Sequence, residues 1–202
     1  MTVPLVIASI FEGHGEVEAV PILLRRIVNT LHPGLDLRTP HPIRVPRNRL
    51  LLPKELERMI ELAARNIGGE GGIVVLLDSD DECPAQRAPE LAERAHTARP
   101  NVPSGVILAK CEFENWFLAG AESLRGQRRL PNDLQSPEDP EAVRGAKEWL
   151  TQKMPRGSRY SETIDQAALA SIVDLAAVHK ASRSFRKLHK EVARLCRELS
   201  DR

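Results

Sequence analysis

Cysteine is scarce and scattered: Cys83, Cys111 and Cys196 are odd in number and form no CxxC pair, which argues against a disulfide framework and a structural zinc site. No apolar run reaches the roughly 18 residues that a membrane-spanning helix needs. The opening MTVPLVIASIFEGHGE lacks the basic n-region and small-residue cleavage site of a secretory signal, so the reading is a cytoplasmic protein without membrane association. Aromatic residues make up 3% of the chain, too few for extensive base stacking. Excess charge is missing too: with a net charge of +1, bulk electrostatics cannot coat nucleic acid, and a polyanion would have to be held by local patches or by metal.

Several nucleotide and metal signatures are absent as well. No GK pair followed by serine or threonine marks a phosphate loop, and Gly13-x-Gly15 opens like a dinucleotide fingerprint only until Glu18 takes the place of the third glycine. A calcium loop starting at Asp78 fails because Cys83 and Pro89 stand where glycine and glutamate belong. The haloacid-dehalogenase pattern fails at Glu82.

What is present is an alternation of strands and helices. VPLVIASIF, Val3 to Phe11, is a short apolar run rich in β-branched residues, the pattern of a strand buried on both faces. Val20, Leu23, Leu24, Ile27 and Leu31 follow at helical spacing, with Pro21 expected in the first turn. A short or edge strand is expected near Ile43 to Val45, then a helix over Leu56, Met59, Ile60 and Ala63 that ends at Gly68-Gly69. GGIVVLLDSDD is the clearest buried strand, Pro84 to Arg99 a further helix, and Val106 to Ala109 a fourth strand. The expectation is an α/β fold with a mostly parallel four-stranded sheet and helices on both faces. After Leu124 the chain turns polar and then helical, so residues 1–126 read as the core and 127–202 as a helical C-terminal extension packed on it. Its last helix carries an apolar stripe of Phe185, Leu188, Val192, Leu195 and Leu199.

Carboxylates gather where the strands end. Glu12 follows the first strand, Asp78, Asp80 and Asp81 the third, and Glu112 and Glu114 the fourth; in a parallel sheet these ends share the edge where open α/β folds bind ligands. Along an extended chain Asp78 and Asp80 would point to one side. Like charges about 4 Å apart repel by about 4 kcal/mol at an effective dielectric near 20, so such a cluster must protonate, spread or bind cations. Oxygen-only ligands select hard ions, here Mg2+ or Mn2+.

EGHGEVEAVPILLRRI, then VVLLDSDDE, then CEFENWFLAG resembles the TOPRIM superfamily in its glutamate-then-DxD order, and most nearly the bacterial DUF4276 family, related to the TOPRIM nuclease domains of overcoming-lysogenization-defect proteins. The resemblance covers essentially the whole chain. It implies Glu12 as general acid, general base or metal ligand, and Asp78 and Asp80 as magnesium ligands. Glu16 matches a second acid of the nuclease branch, and Glu112, Glu114 and Trp116 match an E-x-E-x-W signature. Lys147, in GAKEWL, fits the late lysine that lies near the scissile phosphate. Thus Glu12, Asp78, Asp80 and Lys147 are the expected catalytic residues, and Glu12, Glu16, Asp78, Asp80, Glu112 and Glu114 the expected metal ligands.

The activity implied is magnesium-dependent hydrolysis of nucleic-acid phosphodiesters, DNA ahead of RNA, in a bacterial defence setting beside an ATPase partner; a homodimer is compatible with it. A topoisomerase would need a tyrosine nucleophile, and Tyr160 is the only tyrosine, beyond the sheet. Basic segments at Arg38, Arg44, Arg47 and Arg49 and at Arg125, Arg128 and Arg129 could meet phosphates beside the rim. The alternative is a TOPRIM-like metal- or nucleic-acid-binding regulatory subunit with little catalysis.

Overall fold

The β-branched run after Pro4 forms the first strand, β1 (Leu5–Phe11), in a computed structural model that describes residues 4–201. The expected start of this strand at Val3 lies outside the described residues. Helix α1 (Glu16–Leu31) follows, starting four residues before the first residue of its apolar stripe, so Pro21 sits inside the helix rather than in its first turn. Two short strands come next, β2 (Leu37–Arg38) and β3 (Ile43–Arg44), then α2 (Arg47–Leu50) and α3 (Glu55–Asn66). The buried run becomes β4 (Gly72–Asp78), followed by α4 (Pro84–Ala98), β5 (Ser104–Ala109) and the short α5 (Asn115–Ala119). The C-terminal part is helical: α6 (Ala146–Lys153), α7 (Glu162–Ile172), α8 (Leu175–Ala181) and α9 (Arg183–Ser200).

All strand pairs are parallel, in the order β2-β1-β4-β5, with β3 also on β1. The sheet therefore has five strands rather than the four expected. The difference lies in the proline-containing segment: β2 pairs with the beginning of β1 at Leu5 and Val6, and β3 with its end at Ile10 and Phe11, so one edge is shared by two fragments.

Side chains alternate across the sheet and define two cores. Ile7, Phe11, Val74, Leu76, Ile107 and Ala109 face α1, α7 and α9, while Ala8, Ile10, Val75, Leu77, Val106 and Leu108 face α3 and α4. Helix α9 buries the stripe of Phe185, Leu188, Val192 and Leu195 in the first core and packs on β5. Helix α7 packs along α1. The C-terminal helices thus form one layer of the molecule, and they close over the strand-end edge. No helix among the described residues is long and apolar enough to cross a membrane.

Candidate functional site

The first glycine-rich turn is tight because of what lies against it. At Gly13 a Cβ would come within 2.8 Å of Glu16 Oε1, and at Gly15 within 2.3 Å of the Glu162 carbonyl of α7. These glycines serve close approach, not a phosphate cradle. Glu16, the first residue of α1, folds back to accept the Gly13 N–H at 3.3 Å and is buried.

Glu12 leaves the end of β1 and accepts the Asp78 N–H at 2.9 Å, tying the first strand end to the end of β4. Asp78 Oδ1 in turn accepts the Phe113 N–H at 2.7 Å. The turn after β5 is held by Ser79 Oγ, which accepts from Cys111 N at 3.0 Å, and by Asn115, whose Oδ1 accepts from Glu112 N while its Nδ2 donates to the carbonyls of Pro140 and Val143. This geometry delivers Glu114, fully buried, beneath the rim. Its Oε1 accepts the Tyr160 hydroxyl at 2.9 Å and Gln166 Nε2 at 3.0 Å. Lys147 approaches from α6, donating to Glu162 Oε2 at 3.0 Å.

The carboxylates feel one another. Burial raises Asp78 well above the ordinary range, and the charges of Glu16, Glu114 and Glu12 push it further, against the pull of Lys147. Burial lifts Glu16 to about 8, aided by Glu114 and Glu12. Glu114 is pushed up to about 7 by burial, although Lys147 and Tyr160 oppose the shift. Glu12 is raised as well, by burial and by the charge of Asp80, with the Asp78 amide pulling it back. Burial by itself would lower Lys147, but Glu114, Glu162 and Asp78 outweigh it and keep the ammonium charged. Tyr160 is raised by burial and by Glu114, so its hydroxyl remains a donor rather than a phenolate.

Glu12, Glu16, Asp78, Glu114 and Lys147 are therefore brought together. Asp80 stands apart. The extended chain ends at Asp78, Asp80 adopts a left-handed conformation with φ of 47°, and its exposed carboxylate lies 3.5 Å from Arg47 Nη1. The alternation that would have aligned Asp78 with Asp80 does not extend past the strand. Glu112 borders Glu114, close enough for its charge to raise it. Asp81 pairs with Arg144 at the surface. Of the basic segments, Arg44 donates to the Glu12 carbonyl at 3.3 Å and Arg47 grips Asp80 and Glu82, both beside the rim. Arg128 and Arg129 instead hold the buried Asp165 and are structural.

Tyr160, Gln166, Asn115 and Glu162 support the site without having been marked by any motif. Asn115 lies within the E-x-E-x-W segment as an unspecified position. For Gln166, Glu162 and Tyr160, beyond its being the only tyrosine, the neighbouring sequence holds no signal, because their contact is made by helices folding back over a distant strand end.

Two buried carboxylate oxygens, Glu112 Oε2 and Glu114 Oε2, have no hydrogen-bond partner. Buried unpaired acceptors in an oxygen-only donor set are what a hard cation satisfies. Among the described residues no three acidic, histidine or cysteine side chains are drawn in tightly enough to enclose an ion as they stand.

A parallel α/β sheet whose carboxyl edge gathers buried acids under a helical cover defines the class of protein. The chain belongs to the family described as a domain of unknown function, DUF4276, whose model matches residues 11–193, a span that includes every acid of the site. No curated protein and no solved structure matches it.

Proposed function

We propose that this protein is a magnesium- or manganese-dependent phosphodiester hydrolase of TOPRIM type acting on nucleic acid, DNA ahead of RNA. The observation that carries the reading is the convergence of Glu12, Glu16, Asp78 and Glu114 from separate turns onto one strand-end edge, with Lys147 as the cation that reaches them. Four acids, two buried and two half-buried, gain little for the fold by being there, and their mutual repulsion is relieved by a divalent ion.

Glu16, Asp78 and Glu114 would hold the ion, with Glu12 beside them and Glu112, whose Oε2 is unpaired, bordering Glu114. Bound there, magnesium supplies Lewis-acid activation of water and neutralises charge developing on phosphorus. The protein's own groups do the rest. Glu12, fixed by the Asp78 amide and raised in proton affinity by burial, is placed to take a proton from water or give one to a leaving oxygen. Lys147 keeps its charge beside the acids and is placed to contact a phosphate oxygen held there. Arg44 and Arg47 border Glu12 and Asp80, where flanking phosphates would pass. Tyr160 and Gln166 orient Glu114. A defence role beside an ATPase rests on the TOPRIM resemblance alone.

The test is incubation of the purified protein with single- and double-stranded DNA and RNA, in magnesium, manganese or chelator. Cleavage in either metal that stops in chelator supports the reading; equal cleavage in chelator contradicts it. One observation favours a regulatory subunit instead: Asp80 is turned outward and engaged by Arg47. In that case magnesium would still raise the melting temperature while no substrate is cut.

A further inference from the structure

The outer edge of β5 is open. It ends the sheet order, and no strand among the described residues pairs with it. Toward β4 the ladder begins with Ile73 N–H donating to the Pro103 carbonyl and finishes with Ser79 N–H donating to the Ala109 carbonyl. In a parallel ladder the inward-facing backbone groups alternate, so residues 103, 105, 107 and 109 serve β4, while Ser104, Val106 and Leu108 turn their N–H and C=O groups outward. Ser104, Val106, Leu108 and Lys110 line a groove of about 1060 Å³ that runs along this edge between α4 and the start of α9. The Ser104 carbonyl is taken by Arg194 Nη2 at 2.7 Å.

The walls of the groove differ. Ala88, Pro89 and Ala92 of α4 make one side apolar. The other carries Arg183, Arg186, Lys187 and Arg194, with Lys110 at the strand end. Three carboxylates also line it, but two are already engaged: Glu141 accepts from Ser182 and Ser184, and Glu191 is paired with Lys187 and Arg194. Lys187 and Arg194 are taken up by Glu191, so the positive excess of the groove comes from Arg183, Arg186 and Lys110, which form no ion pair among the described residues, against Asp139 and Glu141. None of the acidic cluster's residues line it.

We propose that this groove docks an extended acidic peptide segment of a partner protein, which adds a strand to β5 through the outward groups of Val106 and Leu108. An open edge is a template for pairing, and charge decides what pairs. A second copy of this chain would bring one basic groove against another, whereas acidic side chains alternating with β-branched ones would place carboxylates toward Arg183 and Lys110 and apolar groups on α4. The outward stretch from Ser104 to Leu108 spans about 13 Å, room for a strand of roughly five residues.

The experiment is fluorescence anisotropy of the full chain with a labelled short peptide alternating glutamate and valine. A lysine–valine peptide and a glutamate–valine peptide N-methylated at alternate amides serve as controls. The acidic peptide should bind, weaken with salt, and lose about tenfold in affinity or more against the Arg183→Glu, Lys110→Glu double variant. Arg183 is the first residue of α9, where a glutamate suits the helix dipole, so that change should leave the fold intact. Val106→Pro removes an outward amide that β4 does not use and should abolish binding; if that variant does not fold, the N-methylated peptide asks the same question. Failure of the acidic peptide to bind, equal binding of the lysine or N-methylated peptide, or indifference to charge reversal would overturn the proposal. So would a homodimer that dissociates on Arg183→Glu, which would assign the groove to a second copy.

Discussion

Glu12 Oε1 accepts the backbone N–H of Asp78 at 2.9 Å, so the side chain that ends one strand caps the acid that ends its neighbour. This bond needs an oxygen at that position, not a charge. Glu12→Gln, which keeps an acceptor, should leave the metal-free protein as stable as wild type or slightly more so. Glu12→Ala leaves the amide unpaired and should cost about 1–3 kcal/mol. Urea unfolding in chelator separates the two, and equal effects would show that the bond contributes nothing.

The two acids of the DxD pair should behave differently. Asp78→Asn keeps an acceptor for the Phe113 amide while removing a charge that Glu16, Glu114 and Glu12 all oppose, so the metal-free protein should melt at a higher temperature. Asp80→Asn touches an exposed carboxylate with one loose ion pair and should change stability by less than about 0.5 kcal/mol. A loss of stability in Asp78→Asn would mean that the acids do not repel as described.

The pH dependence follows in sign from Glu16 and Glu114, held near 8 and 7 in the fold against 4.5 for a free carboxyl. The folded state binds these protons more tightly, so the stability they contribute is complete below about pH 4.5 and is lost as pH rises through 7 and 8. Glu57, Glu122, Glu141 and Glu191, whose values are lowered, act in the opposite sense but below 4.5. His189, lowered by burial and by His179, opposes in the window up to 6.5, as one group against the raised Glu12, Glu16, Asp78 and Glu114. In chelator the denaturation midpoint should therefore fall between pH 5 and pH 8. A flat or rising midpoint across that window contradicts the assignment.

Lys147 is the counter-charge to the cluster as well as the partner of Glu162, and its removal should matter more when the buried acids are ionised. Lys147→Met should destabilise by about 1–3 kcal/mol at pH 8, after discounting for its partial exposure, and by much less at pH 5. Paired thermal melts at the two pH values test this; an equal loss at both would assign Lys147 a packing role instead.

Much of the frame was legible because buried strands and amphipathic helices leave periodic traces. VVLLD could only be a buried strand, and the alternation of such strands with helices requires a parallel sheet whose carboxyl ends, and hence Glu12 and Asp78, share an edge. Three things were not legible. Leu37–Arg38 is too short to carry a period, so the fifth strand was missed. The turn after Asp78 sends Asp80 into a left-handed conformation, which overrides the alternation of an extended chain. The reach of Tyr160 and Gln166 to Glu114 is a long-range contact across 46 and 52 residues, for which local sequence holds no signal.

The most direct test of the central claim, that the buried acids are a divalent-cation site, is calorimetric titration of magnesium and manganese near pH 6.5 in two buffers of different ionisation enthalpy. Burial raises the proton affinity of Glu16 and Glu114 to this pH range or above it, so an ion that takes their oxygens must expel protons. The account predicts saturable binding whose heat differs between the buffers, and its loss in Asp78→Asn. Binding without proton release, or binding that survives intact in Asp78→Asn, would contradict it.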